Sequence, residues 1–163
     1  MKDNNPHILT VVKNEQADRL NHETFCMDEL MDELYNYVKN ELKIKGRTNV
    51  GIELCKFSDY EKCWVHTVRE RLRQIFCNLL DNAVKQTDRG YIFYGFHTSV
   101  SNNMNFFVDD TGTGIYNDDC FELTIAQGLV EQMGGKIEVR PTKEAGKSVN
   151  FNIVCYPCEV QEN

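Results

Sequence analysis

The chain has only three prolines, no low-complexity tract and no internal repeat, so nothing in its 163 residues announces a linker between two folded units. One domain is expected, since compact domains usually run about 100 to 200 residues. Long apolar runs are missing too, and the opening MKDNNPHILTVVKNE lacks the apolar stretch of a signal peptide. That excludes a membrane-spanning helix and leads us to expect a soluble, cytoplasmic chain. Basic residues are in short supply: 18 Lys and Arg face 25 Asp and Glu, for a net charge of -7. This balance opposes general attraction to nucleic-acid phosphates or anionic lipid, so any bound phosphate must be held locally. A second CxxC is absent as well. Cys155 and Cys158 form the one such pair among seven irregularly spaced cysteines, and only five residues follow Cys158. A redox CxxC normally opens a helix, and a zinc site needs four ligands, so the pair reads as strand-end thiols in a reducing compartment. What remains is 41% hydrophobic and 26% charged, enough apolar side chain for a core.

Periodicity supplies the elements. Residues 8–20 read as a short helical piece, which polar Asn21 to Thr24 interrupt. Phe25, Leu30, Met31, Leu34, Tyr37, Val38 and Leu42 recur at helical steps, ending near Lys45-Gly46. Residues 49–56 alternate as a half-buried strand, and a further apolar group at Cys63-Trp64-Val65 suggests a hairpin or paired strands. A second helical stripe runs through Leu72, Ile75, Phe76, Leu79, Leu80, Ala83 and Val84. Two aromatic-rich strands follow, YIFYGFH and MNFFVDD, then a helix from about Phe121 to Met133, a strand KIEVR and a last strand SVNFNIVCY. Strands that adjoin in pairs between helices predict an α/β fold: a two-layer sandwich in which a mixed sheet of about five strands is covered on one face by about three helices.

Two stretches carry chemistry. On the second helical stripe, Arg71, Gln74, Asn78, Asn82 and Lys85 fall opposite the apolar residues and form one polar ridge. A solvated helix face would account for any one of them. Asparagine is nevertheless a poor helix former, so two of them one turn apart cost stability that something should offset. Their amide oxygens suit a hard cation, and Lys85 suits an anion beside it, which makes magnesium with a phosphate the natural pair. The second stretch is the apolar strand Phe106 to Asp110 running into Thr111-Gly112-Thr113-Gly114-Ile115. Its alternating glycines allow close backbone approach to a ligand beside a strand-end acid, although taken alone the stretch is better explained as a bare turn. The triplet Asp110-Thr111-Gly112 also occurs in aspartic proteases, but those need two such acids and an almost all-strand fold.

Taken together, RLRQIFCNLLDNAVKQT, FFVDDTGTGI and LTIAQGLVEQMGGKIEV with a final hairpin resemble the ATP-binding catalytic domain of bacterial sensor histidine kinases, the Bergerat-type ATPase fold shared with gyrases and Hsp90 chaperones. The resemblance covers roughly residues 25 to 157. It implies a catalytic domain over 21–158, a tail at 159–163, and residues 1–20 as the end of a dimerising helical hairpin. By the same resemblance, Asn82 would hold magnesium with Asn78 in support, and Lys85 would meet the phosphates of ATP. Asp110 would accept the adenine amino group, Gly112 and Gly114 would leave room for the base, and Ile115 would cover it. Thr124 would lie near the triphosphate, at a helix start where backbone N–H groups favour anions. The implied partners are ATP, the dimerisation and phosphoacceptor domain of the same kinase, and a response regulator receiver domain. The parent would be homodimeric and membrane-associated, and no nucleic acid is expected.

The sequence also departs from the family's pattern. Only seven residues, YNDDCFE, separate Ile115 from Leu123, where the family inserts a long lid with a second glycine-rich box. Asp118, Asp119 and Glu122 would each place negative charge near a triphosphate, at about 1 kcal/mol or more per close pair. AGKS replaces the family's glycine-flanked turn before the last strands. None of His7, His22, His66 and His97 stands in a phosphoacceptor motif, so the attacking histidine would come from outside this chain. Two expectations follow: a phosphoryl-donating ATP/Mg module, or a degenerate domain of the same fold that no longer turns over ATP and acts in protein interaction.

Overall fold

The computed structural model describes residues 21–59, 61–98, 104–112, 121–143 and 145–158. In chain order its elements are β1 (Glu23–Cys26), α1 (Met27–Ile44), β2 (Val50–Phe57), β3 (Trp64–Thr67), α2 (Arg69–Gln86), β4 (Gly90–Thr98), β5 (Met104–Asp110), α3 (Phe121–Gln132), β6 (Ile137–Pro141), β7 (Lys147–Asn152) and β8 (Tyr156–Cys158). A five-stranded mixed sheet runs β2-β4-β5-β7-β6. Only β2 and β4 pair in parallel within it. The expected architecture is therefore present, and the piece at residues 8–20 lies outside the described residues.

The strands divide the sheet into two faces because successive side chains point to opposite sides. Ile92, Tyr94 and Phe96 of β4, Phe106 and Val108 of β5, and Val149 and Phe151 of β7 are all buried and belong to one core with the apolar stripes of the helices. Phe76 of α2 is fully buried at its centre. Its ring meets Phe151 at 5.3 Å, Phe106 at 5.7 Å and Tyr94 at 6.3 Å, each edge to face. Such pairs add about 0.5 to 1.5 kcal/mol beyond the area they bury. The Tyr94 hydroxyl donates to the Met31 carbonyl at 2.8 Å and ties α1 to the same sheet.

Three local expectations are corrected. Phe25 belongs to β1 rather than to the first helix, which starts at Met27. The stretch around Trp64 is not the return strand of a hairpin with β2. Instead β2 pairs in parallel with β4, and a parallel pair requires the intervening chain to cross over, here through α2. The short β3 joins β1 and β8 in a separate antiparallel sheet of three strands. The last strand also breaks in two. After Asn152 the Val154 N–H donates to the Met133 carbonyl at 3.1 Å, and the Thr67 hydroxyl donates to the Val154 carbonyl at 3.1 Å. These bonds draw the chain off the large sheet, so β8 pairs with β3. Cys155 is buried before that short strand and Cys158 is half-buried at its end.

Because Phe76 couples α2 to three strands at once, Phe76→Ala should lower stability by about 3 to 5 kcal/mol. Urea denaturation followed by circular dichroism checks this; a midpoint unchanged from wild type would refute the role assigned to that ring.

Candidate nucleotide site

The site begins where β5 ends. Asp109 and Asp110 are adjacent, so their side chains leave opposite faces of the strand. Asp109 pairs across the sheet with Phe93 and Ser148, and Asp110 with Ile92 and Lys147. The two acids are therefore no acid/base dyad. Ser148 donates its hydroxyl to Asp109 at 2.6 Å, yet burial, and then the neighbouring Asp110 charge, raise the Asp109 pKa above the usual carboxylate range.

Asp110 is buried on the helix side of the sheet. One of its oxygens accepts the Gly112 N–H at 3.0 Å, which bends the chain away from the strand. The other lies 2.9 Å from the Lys147 ammonium, with side chains 1% and 7% exposed respectively. That contact falls outside hydrogen-bond angles, so it is ionic in character. Gly146 lets the two strand ends close: a Cβ there would stand 1.8 Å from the Asp110 carbonyl oxygen.

The bend meets the helix. A Cβ on Gly112 would stand 2.3 Å from the Gln86 carbonyl oxygen and 2.9 Å from the Thr87 hydroxyl oxygen, so only glycine lets the chain lie against the C-terminal end of α2. Thr111 locks it from the other side: its hydroxyl accepts the Tyr91 N–H at 2.9 Å and its N–H donates to the Tyr91 carbonyl at 3.1 Å. The acid that ends β5 and the polar ridge of α2 are thus brought together.

The ridge itself differs from a solvated helix face. Arg71 is 3% exposed and Asn82 1%. Asn78 is half-buried and donates its amide to the Gln74 carbonyl at 2.9 Å. Lys85, in the last turn of α2, forms an ion pair with Glu122 in the first turn of α3. Thr124 is exposed in that same turn. Gly114 and Ile115 lie outside the described residues, as do Asp118 and Asp119. Glu122, read from the sequence as a repulsive charge, has become the counter-ion of Lys85.

Residues 67–156 match the family of histidine kinase-, DNA gyrase B- and HSP90-like ATPases. The chain belongs to that family. Among relatives of this ATPase domain, the aerobic respiration control sensor protein ArcB of Escherichia coli is 30% identical over 115 residues, which cover 56% of this chain and 14% of that protein. The sensory/regulatory protein RpfC of Xanthomonas campestris is 33% identical over 110 residues, covering 50% and 15%. The chain thus spans about a seventh of these curated relatives. Among solved structures, full-length ShkA in complex with AMPPNP aligns with a TM-score of 0.70 at 22% identity, over 85% of this chain and 32% of that one. The nucleotide-free catalytic domain of the histidine kinase ThkA aligns at 0.68 and 21%, over 81% and 95%. These likenesses bear out the resemblance and the fold drawn from the sequence.

Lys147 is the site residue that sequence reasoning missed. Its signal was present, because Lys147, Val149 and Phe151 alternate on one strand face and put a lysine in line with two core residues. Thr87, fully buried beside Gly112, carried no such signal.

Asp109 gives a pH test. A carboxyl whose folded pKa is raised favours folding below its unfolded pKa, and that contribution is lost as pH rises through the folded value. Asp109→Asn, which can still accept the Ser148 hydroxyl, should therefore raise the melting temperature at pH 7, with the gain fading below about pH 4. Calorimetric melts at the two pH values decide it, and an equal gain at both would contradict the account.

Proposed function

We infer that this domain is the ATP-binding module of a two-component sensor histidine kinase, presenting the γ-phosphate of ATP to a histidine outside the described domain. In phosphoryl transfer the protein's work is mainly positioning and charge neutralisation, so a module of this kind needs a base anchor and a phosphate anchor at a fixed separation. The observation that supports the reading is the seat of Gly112 against Gln86 and Thr87, which brings the end of β5 to the C-terminal end of the helix that carries Asn78, Asn82 and Lys85. Asp110 would accept the adenine amino group, with Gly112, Gly114 and Ile115 around the base. Lys85 would meet phosphate, and Thr124 would stand at the helix start beside it.

Magnesium fits the donor set. Asn82 and Asn78 offer neutral amide oxygens, the hard donors that a small divalent cation accepts alongside phosphate oxygens and water. When bound, the ion would neutralise charge on the β- and γ-phosphates; the chain's own part is to hold Asn82 in a buried, fixed position on α2. The module would extend over 21–158, with residues 1–20 as the remnant of a dimerising helical hairpin and 159–163 as a tail. Its partners would be the dimerisation and phosphoacceptor domain, and then a response regulator receiver. A homodimeric, membrane-associated parent with this module in the cytoplasm fits that reading. Among the described residues no helix is long and apolar enough to cross a membrane.

A second reading has an observation of its own. Both ionic anchors are already engaged inside the domain, Lys85 with Glu122 and Asp110 with Lys147. That favours a domain of weak or lost turnover that serves in protein interaction.

Isothermal titration of ATP with magnesium separates the two. The kinase reading expects a millimolar or tighter dissociation constant that disappears in Asp110→Asn and Asn82→Ala; no heat at any nucleotide concentration would leave only the interaction module. Glu122→Gln supplies a second test. An exposed or half-exposed pair is worth up to about 1 kcal/mol, so releasing Lys85 should tighten nucleotide binding roughly two- to fivefold, read as a larger nucleotide-induced rise in melting temperature. A smaller rise than wild type would mean that Lys85 does not face the phosphates.

A further inference from the structure

The kinase reading gives Lys147 no role, yet Lys147 is paired with the carboxylate that this reading assigns to the base. Asp110 faces Lys147 directly in the register of β5 and β7, and both are buried on the helix side of the sheet. Of the two carboxylate oxygens, one accepts the Gly112 N–H and the other lies 2.9 Å from the lysine ammonium. That second oxygen has almost no contact with solvent. A base amine approaching Asp110 thus meets a carboxylate whose charge is balanced and whose surface is covered from within the chain.

We propose that Lys147 sets the nucleotide affinity and base selectivity of this domain by occupying, with its own ammonium, the Asp110 oxygen that an adenine amino group would take. This rests on the assignment of Asp110 as the base anchor. The physical reason is an unequal exchange. A neutral amine can donate a hydrogen bond to Asp110 but cannot replace the positive charge that balances a buried carboxylate, and separating such a pair leaves each charge uncompensated. Nucleotide must therefore either displace Lys147 or share Asp110 with it. Without the lysine, the free domain would hold a buried carboxylate lacking a counter-charge, and a ligand donor would gain correspondingly more.

The test compares the wild-type chain, Lys147→Ser, Lys147→Arg and the double variant Lys147→Ser/Asp110→Asn, titrated with AMPPNP and magnesium. Lys147→Ser should bind at least tenfold more tightly than wild type, Lys147→Arg within about twofold of it, and the double variant should lose the gain. Should Lys147→Ser bind no more tightly than wild type while wild type binds, the proposal is overturned and the base anchor stands. If no variant binds nucleotide at all, the base anchor falls and takes the proposal with it. A readout on the wild type guards against variants that fail to fold: the Lys147 side-chain nitrogen resonance, followed by NMR as AMPPNP is added. It should shift as the ammonium leaves or shares Asp110, and an unchanged resonance at saturation would overturn the proposal by itself.

Discussion

The site depends on one close approach, the contact between Gly112 and the end of α2. With no side chain at position 112, the bend after β5 can lie against the Gln86 carbonyl and the Thr87 hydroxyl. A methyl group there would overlap backbone atoms, which cannot swing aside as a flexible side chain can. Asp110 at the end of β5 and the polar ridge of α2 are on different elements, and this contact joins the two. It works because α2 is itself immobilised at Phe76, so the helix end meets the bend from a defined position. Core packing and site geometry are the same constraint seen from the two faces of one helix.

Charge is then settled in pairs. The chain carries a net charge of -7, which works against a phosphate-bearing ligand at long range. Any such ligand would have to be held by cations at short range, yet Lys85 and Lys147 each face a carboxylate. The pairs differ in kind. Lys85–Glu122 joins two helices at a partly exposed position, where an ion pair exchanges readily with water and with anions. Lys147–Asp110 is shut off from solvent, where breaking a pair is costly and the partners stay together. The Lys85–Glu122 pair is thus the adaptable one and the Asp110–Lys147 pair the resistant one.

How much of this was legible in the sequence follows from the range of the interactions. Helices α1, α2 and α3 and the strands β4, β5 and β6 announce themselves because their apolar residues recur at a local period that burial on one face demands. The partnership of β2 with β4 and of β3 with β1 and β8 was not legible: pairing is chosen by the chain's path through α2, and no short-range pattern encodes it. Even the end of β7 was lost for the same reason, since the bonds that pull Val154 off the sheet come from Met133 and Thr67, both distant in sequence. The asparagines of the ridge stood out because they oppose helix propensity. The burial of Asn82 did not, because the alternation of polar and apolar residues cannot say what comes to rest against the polar face of a helix.

Lys147 shows where the two kinds of legibility meet. Strand alternation put it on the core face, and core faces exclude lysine unless something balances its charge. A partner was therefore demanded by the pattern, and the carboxylate had to come from a neighbouring strand end. In sequence terms Asp109 and Asp110 were equal claimants. The pleat decides between them: Asp109 leaves the sheet on the side of Phe93 and Ser148, and Asp110 on the side of Ile92 and Lys147. A lysine on the inner face of β7 could thus pair only with the acid that the bend at Gly112 also engages. The same alternation that builds the core has placed a cation against the carboxylate that ends β5.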